Sequence, residues 1–195
     1  MKEKELKKLE EVLVQVGLRI AKRGEGALFV VGEVKYKTLI DQTVPPFKVI
    51  SNPKLLESLA LMDGAIIIDK DGMMKAYGAM IKSTVAFKNF GTRHSAGLSA
   101  SKIKGNLVVI ISEEDRKIRI LKNGKMIMQI DALQKNVENS VGDAVNVLEG
   151  VGAGTIGAIG TSILAPTVGL SLLPGIVLFG SGYYLVKLLH KKMRK

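Results

Sequence analysis

Ala27-Leu-Phe-Val-Val31 is an unbroken apolar run closed by Gly26 on one side and Gly32 on the other. Such a run predicts a short strand buried on both faces, which requires helices or other cover on each side of its sheet. Residues 107–111 form a second apolar strand. Residues 65–69 and 73–80 read as a strand pair joined at Lys70-Asp71-Gly72, and residues 118–121 and 126–130 as another joined at Asn123-Gly124. Both joints carry hairpin dipeptides. Residues 2–22 set Leu6, Leu9, Leu13, Val16 and Ile20 at spacings of three and four, the pattern of an amphipathic helix, which Gly24 and Gly26 then stop. Ser51-Asn-Pro53 places a capping side chain before a first-turn proline, predicting a short helix over 55–61. A loop from Gly91 runs into a helix ending near Ser101, and residues 131–149 return to a helical pattern. The sum is an α/β domain with a mixed β-sheet flanked by helices.

The 195 residues suffice for one domain with an extension. Charge divides them unevenly: residues 150–195 hold five Lys and Arg and no acid, while all 18 acids lie before them. A net charge of +11 suits polyanions without saying which. Four Tyr, five Phe and no Trp make a poor stacking platform, so nucleic acid is not an expected partner. The absence of Cys excludes disulfides, thiolate metal sites and thiol catalysis. The charged start Met1-Lys-Glu-Lys-Glu-Leu6 has no signal-like apolar core, which predicts a cytoplasmic location for the folded part.

Three segments gather groups able to do chemistry. Asp63-Gly64-Ala65 puts a carboxylate at the start of a strand, either as an ordinary turn or where a ligand can approach small residues. Gly91-Thr-Arg-His-Ser95 collects phosphate-binding side chains at the positive end of a helix dipole, although helix caps on a solvated loop would look similar. Ser112-Glu113-Glu114-Asp115 leaves the C-terminal end of an apolar strand, where open α/β sheets bind ligands and where plain acidic turns also occur. His94 and His190 are the only histidines and lie far apart in the chain, so any metal is expected on carboxylates and phosphates, as Mg²⁺ or Mn²⁺ would be.

In order and spacing, Asp63-Gly-Ala65, Gly91-Thr-Arg-His-Ser-Ala96 and Ile111-Ser-Glu113 together resemble the bacterial and archaeal diadenylate cyclase domain, over roughly residues 12–133. The resemblance implies an enzyme that condenses two ATP into the second messenger cyclic di-AMP and two pyrophosphates, at a site shared by two subunits of a homodimer or larger homo-oligomer. It implies that Asp63 binds Mg²⁺ or Mn²⁺ and helps activate a ribose 3′-hydroxyl, with Glu113 a further metal candidate. Gly64 and Ala65 would border the nucleotide; Thr92, Arg93 and His94 would hold the triphosphate, and Ser112 would add a phosphate contact. Gly78-Ala-Met80-Ile81 matches the family stretch beside the adenine, with Met80 in place of the usual bulky residue. Where the family commonly has Arg-His-Arg-Ala-Ala, this chain has Arg93-His-Ser-Ala-Gly97, one cation and one methyl fewer. The residues leave open a catalytically silent sensor or membrane scaffold that binds ATP or cyclic di-AMP.

This reading divides the chain into a catalytic domain over 1–135, a connecting helix over 136–149 and an apolar segment with a basic tail over 150–195. No charged residue occurs from Gly150 to Val186. That length exceeds one membrane span of about 20 residues and is interrupted by Pro166 and Pro174. With Lys187 to Lys195 on the catalytic side, the expectation is a C-terminal apolar helical hairpin making membrane contact through residues 150–190, or else a hairpin buried in an oligomer.

Overall fold

The structure, a computed structural model, describes residues 3–39, 41, 44–84, 91–143, 145–146, 170–173 and 175–178. Helix α1 (Glu3–Arg23) leads into β1 (Ala27–Val31), β2 (Tyr36–Thr38), α2 (Pro53–Ala60), β3 (Ala65–Ile68), β4 (Met74–Ile81), α3 (Thr92–Ser101), β5 (Leu107–Ile111), β6 (Lys117–Lys122), β7 (Lys125–Asp131), β8 (Leu170–Leu173) and β9 (Ile176–Leu178). The strands form one sheet in the order β2-β4-β3-β1-β5-β6-β7-β9-β8. β1 and β3 run parallel, with Phe29 opposite Ile66, and the other described pairs are antiparallel. The sheet is therefore mixed and covered by helices, as the sequence predicts.

All five residues of β1 and of β5 are buried, and the two-residue period of a strand divides them between two cores. Phe29, Val109 and Ile111 face Leu9, Leu13, Val16 and Ile20 of α1 and Leu56 of α2. Leu28, Val30, Val108 and Ile110 face Ala96, Leu98 and Ala100 of α3. Helix α1 ends where predicted: Gly24 takes a φ of +82°, and its N–H donates to the carbonyl of Ala21 at 2.9 Å. The guanidinium of Arg116 donates to the carbonyls of Ala21 and Lys22, at 3.2 and 3.4 Å, adding partners for the last-turn carbonyls of the helix.

Three expectations need correction. β2 was not foreseen; three exposed residues carry no pattern, and they pair with β4 through Tyr36–Ile81, Lys37–Met80 and Thr38–Ala79. The helix expected from residue 131 does not begin there. Asp131 closes β7 and accepts the N–H of Leu133 at 3.0 Å, and Asn136 adopts a φ of +61°. Such local side-chain bonding and left-handed backbone compete with helix. A 3₁₀ turn (Val137–Ser140) intervenes, and among the described residues helix is seen only at 141–143 and 145–146, residues 144 and 147–149 of the expected helix lying outside them. Finally, the C-terminal apolar hairpin was expected to be helical, but its described residues are strands. The edge of β7 offers unpaired backbone groups, and β9 pairs with them through Met128–Leu178, Gln129–Val177 and Ile130–Ile176, turning from β8 with Gly175 at a φ of +77°. Residues 150–169, 174 and 179–195 of that expected hairpin lie outside the described residues. Among the described residues no helix is long and apolar enough to cross a membrane.

Gly64 shows how tightly β3 and β4 meet. It holds a φ of +101°, and a Cβ there would lie 2.6 Å from the carbonyl carbon and 2.8 Å from the Cα of Gly78. Backbone cannot yield as a side-chain tip can. Gly64→Ala is expected to lower the unfolding free energy by about 1–3 kcal/mol from strain alone, read from a shifted urea midpoint at unchanged slope. A loss below about 0.5 kcal/mol, the level of an ordinary surface change, would contradict this.

Candidate functional site

The register gathers the sequence-predicted groups at one end of the sheet. Because β1 and β3 are parallel, Gly26 and Asp63-Gly64 precede their strands at the same end. β5 runs the other way, with Ala27 opposite Ile111, so Ser112 and Glu113 leave the sheet beside Gly26. β4 is antiparallel to β3, with Ala65 opposite Ala79, which carries Met80 and Ile81 toward Gly64 and Asp63. Asp63 and Glu113 are thus two strand spacings apart, about 5 Å each.

Two groups result. In one, Gly64 and Gly78 meet backbone to backbone, and Asp63 Oδ1 accepts the N–H of Gly64 at 3.0 Å. Asp63 is exposed, Met80 is 54% exposed, and Ile81 is buried beneath with the α3 core. The other group is built on the start of α3. Gly91 supplies the N-cap and has no side chain to bond the first-turn N–H groups, whose partial positive charge favours an anion. Thr92 is exposed at the first position, and Arg93 Nη1 donates to Glu113 Oε2 at 2.9 Å. Gly26 lies directly below: a Cβ on it would collide with the Arg93 guanidinium and come 3.2 Å from Glu113 Oε2.

His94 meets a second cation, with Nε2 3.2 Å from Nη1 of Arg119. Arg119 is buried and pairs with both oxygens of Asp115, through Nη1 at 3.2 Å and through a short bond from Nη2. Burial pushes the Asp115 carboxyl up, but the hydrogen bond and charge of Arg119, together with the Ser112 hydroxyl, outweigh it and hold it below its usual value. Ser112 is 5% exposed and gives its hydroxyl to Asp115. The His94 imidazole is lowered to about 4, first by burial and then by the positive charge of Arg119, with Arg93 adding to both and Asp115 opposing. It is neutral at physiological pH.

Sequence reasoning missed Arg119 and the role of Gly26, and picked out Asp115 only as part of an acidic turn, without its partner. A signal for the first existed: in Lys117-Ile-Arg-Ile-Leu121 the strand period puts Arg119 on the same face as Leu121, which is buried. An arginine on a buried face calls for a carboxylate, and Asp115 stands four residues before it. Among the described residues no three His, Cys, Asp or Glu converge into a metal cage. The exposed Asp63 carboxylate fits a hard cation that takes most of its ligands from phosphate and water, as Mg²⁺ and Mn²⁺ do.

A helix N-terminus bearing Thr-Arg-His, glycine-lined strand starts and the exposed carboxylates of Asp63 and Glu113 are the groups of an α/β nucleotide-binding domain. The family described as DisA bacterial checkpoint controller nucleotide-binding, the diadenylate cyclase domain, matches residues 17–126. That is more than half of the chain, and the chain belongs to this family. It is 30% identical over 138 residues to a diadenylate cyclase of Haloferax volcanii, covering 62% of this chain and 50% of that protein. It is 28% identical over 128 residues to the cyclic di-AMP synthase CdaA of Bacillus subtilis, covering 61% and 47%. The chain thus spans about half the length of these curated relatives. A crystal structure of DacA from Staphylococcus aureus aligns at a TM-score of 0.48 and 24% identity, covering 64% of this chain and 87% of that one.

The lowered His94 has a consequence for stability. Below pH 6.5 the unfolded chain binds a proton on this ring that the folded chain refuses until about pH 4. Stability is therefore fully present above pH 6.5 and falls as pH drops through that window. The other shifted groups, Asp69, Asp115 and Glu138, are carboxyls with lowered values that matter only near its lower end. Urea titrations at pH 7, 6 and 5 should show the decline, and His94→Gln should flatten it. An equal slope in both proteins would refute the assignment.

Proposed function

We propose that this protein is a diadenylate cyclase, condensing two ATP into cyclic di-AMP and two pyrophosphates. The observation that carries the reading is the start of α3, where Arg93 and His94 stand at the same sheet end as Asp63 and beside Glu113. The 3′-oxygen of one ATP attacks the α-phosphorus of the other, pyrophosphate leaves, and the reaction repeats in the opposite sense. Asp63 orients the 3′-hydroxyl and accepts its proton. Arg93 turns from Glu113 to the triphosphate, where a planar guanidinium binds two oxygens at once, and neutralises charge that develops on the leaving group. Thr92 and His94 add hydrogen bonds. Gly64, Ala65 and Gly78 let the nucleotide approach the backbone, and Met80 with the Ile81 backbone borders the base. Ser112 acts through Asp115, the partner of its hydroxyl. Bound Mg²⁺ or Mn²⁺ would be held by Asp63, with Glu113 released by Arg93 as a second ligand, and supplies Lewis-acid neutralisation of the phosphate.

One domain holds one ATP, so the reaction needs two copies face to face in a homodimer or larger homo-oligomer. The uncharged stretch from Gly150 to Val186 and the basic residues after it support membrane contact through residues 150–190, with the catalytic domain on the cytoplasmic side.

The test is incubation of the purified chain with ATP and Mg²⁺ or Mn²⁺, with mass detection of cyclic di-AMP and pyrophosphate. Asp63→Asn should abolish product with the fold intact. Gly26→Ala, which keeps an allowed backbone but intrudes on the Arg93 guanidinium, should change stability by less than about 0.5 kcal/mol and cut turnover about tenfold, the loss of one transition-state contact. Nucleotide binding without product under both metals would replace the cyclase by an ATP or cyclic di-AMP sensor.

A further inference from the structure

Arg119 stands on β6 between Ile110 of β5 and Gln129 of β7, and is 8% exposed. A guanidinium donates hydrogen bonds and accepts none. Burying one is strongly unfavourable unless its charge and its donors are answered. Asp115 answers the charge with both oxygens, and is itself fixed by the Ser112 hydroxyl and by the backbone N–H of Lys117 at 3.3 Å. The clamp is therefore held from β6 and from the turn that leaves β5. What it presents to α3 is Nη1, 3.2 Å from Nε2 of His94.

Two N–H groups cannot face each other at that separation. With a donor fixed on the arginine side, Nε2 must offer its lone pair, and the single proton of the ring sits on Nδ1. We propose that Arg119 is a positioning residue that locks His94 in the neutral, Nδ1-protonated form, so that His94 meets the triphosphate as a hydrogen-bonding group and leaves the positive charge to Arg93. The tautomer stands on the structure alone; its use toward the triphosphate rests on the cyclase reading. Among the described residues, the charged groups acting on the ring are Arg119 and Asp115 from β6 and the turn before it, and Arg93 from α3 itself. Two are cationic, and the one anion is already engaged by Arg119. A second proton on the ring would bring a third positive charge into this cluster.

Nitrogen-15 NMR of the full chain with labelled histidine tests this directly, because the chain has two histidines and His94→Gln assigns the signal. At pH 7 the wild type should show protonated Nδ1 and bare Nε2 on His94, a form that is the minor one in free histidine. Arg119→Gln should let the tautomers mix and raise the titration midpoint toward 6.5, the ordinary value. Arg119→Lys, which restores one donor, should recover the Nδ1-protonated form in part. A purely structural arginine would move neither signal in a folded variant. Protonated Nε2 in the wild type, or an unchanged spectrum in folded Arg119→Gln, would overturn the proposal; if Arg119→Gln does not fold, the wild-type spectrum and Arg119→Lys decide it. With ATP, Arg119→Gln should lower kcat about tenfold with partial rescue by Arg119→Lys. Absence of any turnover in the wild type would remove the cyclase reading and leave the tautomer result standing.

Discussion

The close approach of α3 to the sheet is the constraint on which the site depends. A Cβ at Gly97 would lie 2.8 Å from Cδ1 of Ile110 and 3.2 Å from Cδ1 of Leu28, so the helix lies as near to β1 and β5 as its backbone permits. Ala96, Leu98 and Ala100 complete that contact with small or well-buried groups. A helix seated this closely is fixed in height and rotation by van der Waals contact. Its first turn then has one place to emerge, over the end of β5, and Arg93 reaches Glu113 while His94 reaches Arg119 from the same turn.

The two contacts differ in kind. Arg93 and Glu113 are 37% and 53% exposed, and an ion pair so open to water contributes little. It parks both side chains, and a polyanion that binds the guanidinium bidentately can displace the carboxylate at small expense in free energy. Arg119 and Asp115 are held far more firmly, since Arg119 is buried and removing Asp115 would strand its charge. One cation is thus free to change partners on binding, while the other stays and shapes the histidine beside it. That division lets a site rich in positive charge remain folded when it is empty.

The sheet and its helices were legible because burial leaves a period. β1 and β5 are continuous apolar runs, α1 carries its stripe, and Asp71-Gly72 and Asn123-Gly124 announce their turns. Legibility failed where partners rather than pattern decide. β2 has three exposed residues and exists by pairing with β4, and β9 exists because β7 has an edge to pair. Asp63, Arg93 and His94 were singled out through three short motifs in order, and the register of β1, β3 and β5 explains why the first and third of them, so far apart in sequence, lie at one end of the sheet. Arg119 was passed over because a charge in a hairpin strand reads as solvated. Only its neighbour Leu121, buried on the same face, told otherwise. Gly26 was read as a helix stop, and nothing local says that the tip of Arg93, 67 residues later, needs the space above it.

The departures from the family pattern acquire a physical meaning in this light. Where the family commonly carries alanine, Gly97 faces Ile110, whose side chain fills the room a methyl would need. Where the family commonly carries a second arginine, Ser95 is buried at 9% exposure, with its hydroxyl 3.5 Å from the carbonyl of Gly91 and its own carbonyl accepting from Ser99 at 2.8 Å. Helix α3 thus gives up a cation and gains a tighter seat. The guanidinium beside His94 comes from β6, paired with Asp115. A cation on the exposed first turn of a helix adds to the charge that a phosphate meets, whereas a buried and neutralised one acts through the hydrogen bond it donates. Arg93 is thereby left as the cation of the α3 first turn, while the buried guanidinium of Arg119 meets the same turn only through His94.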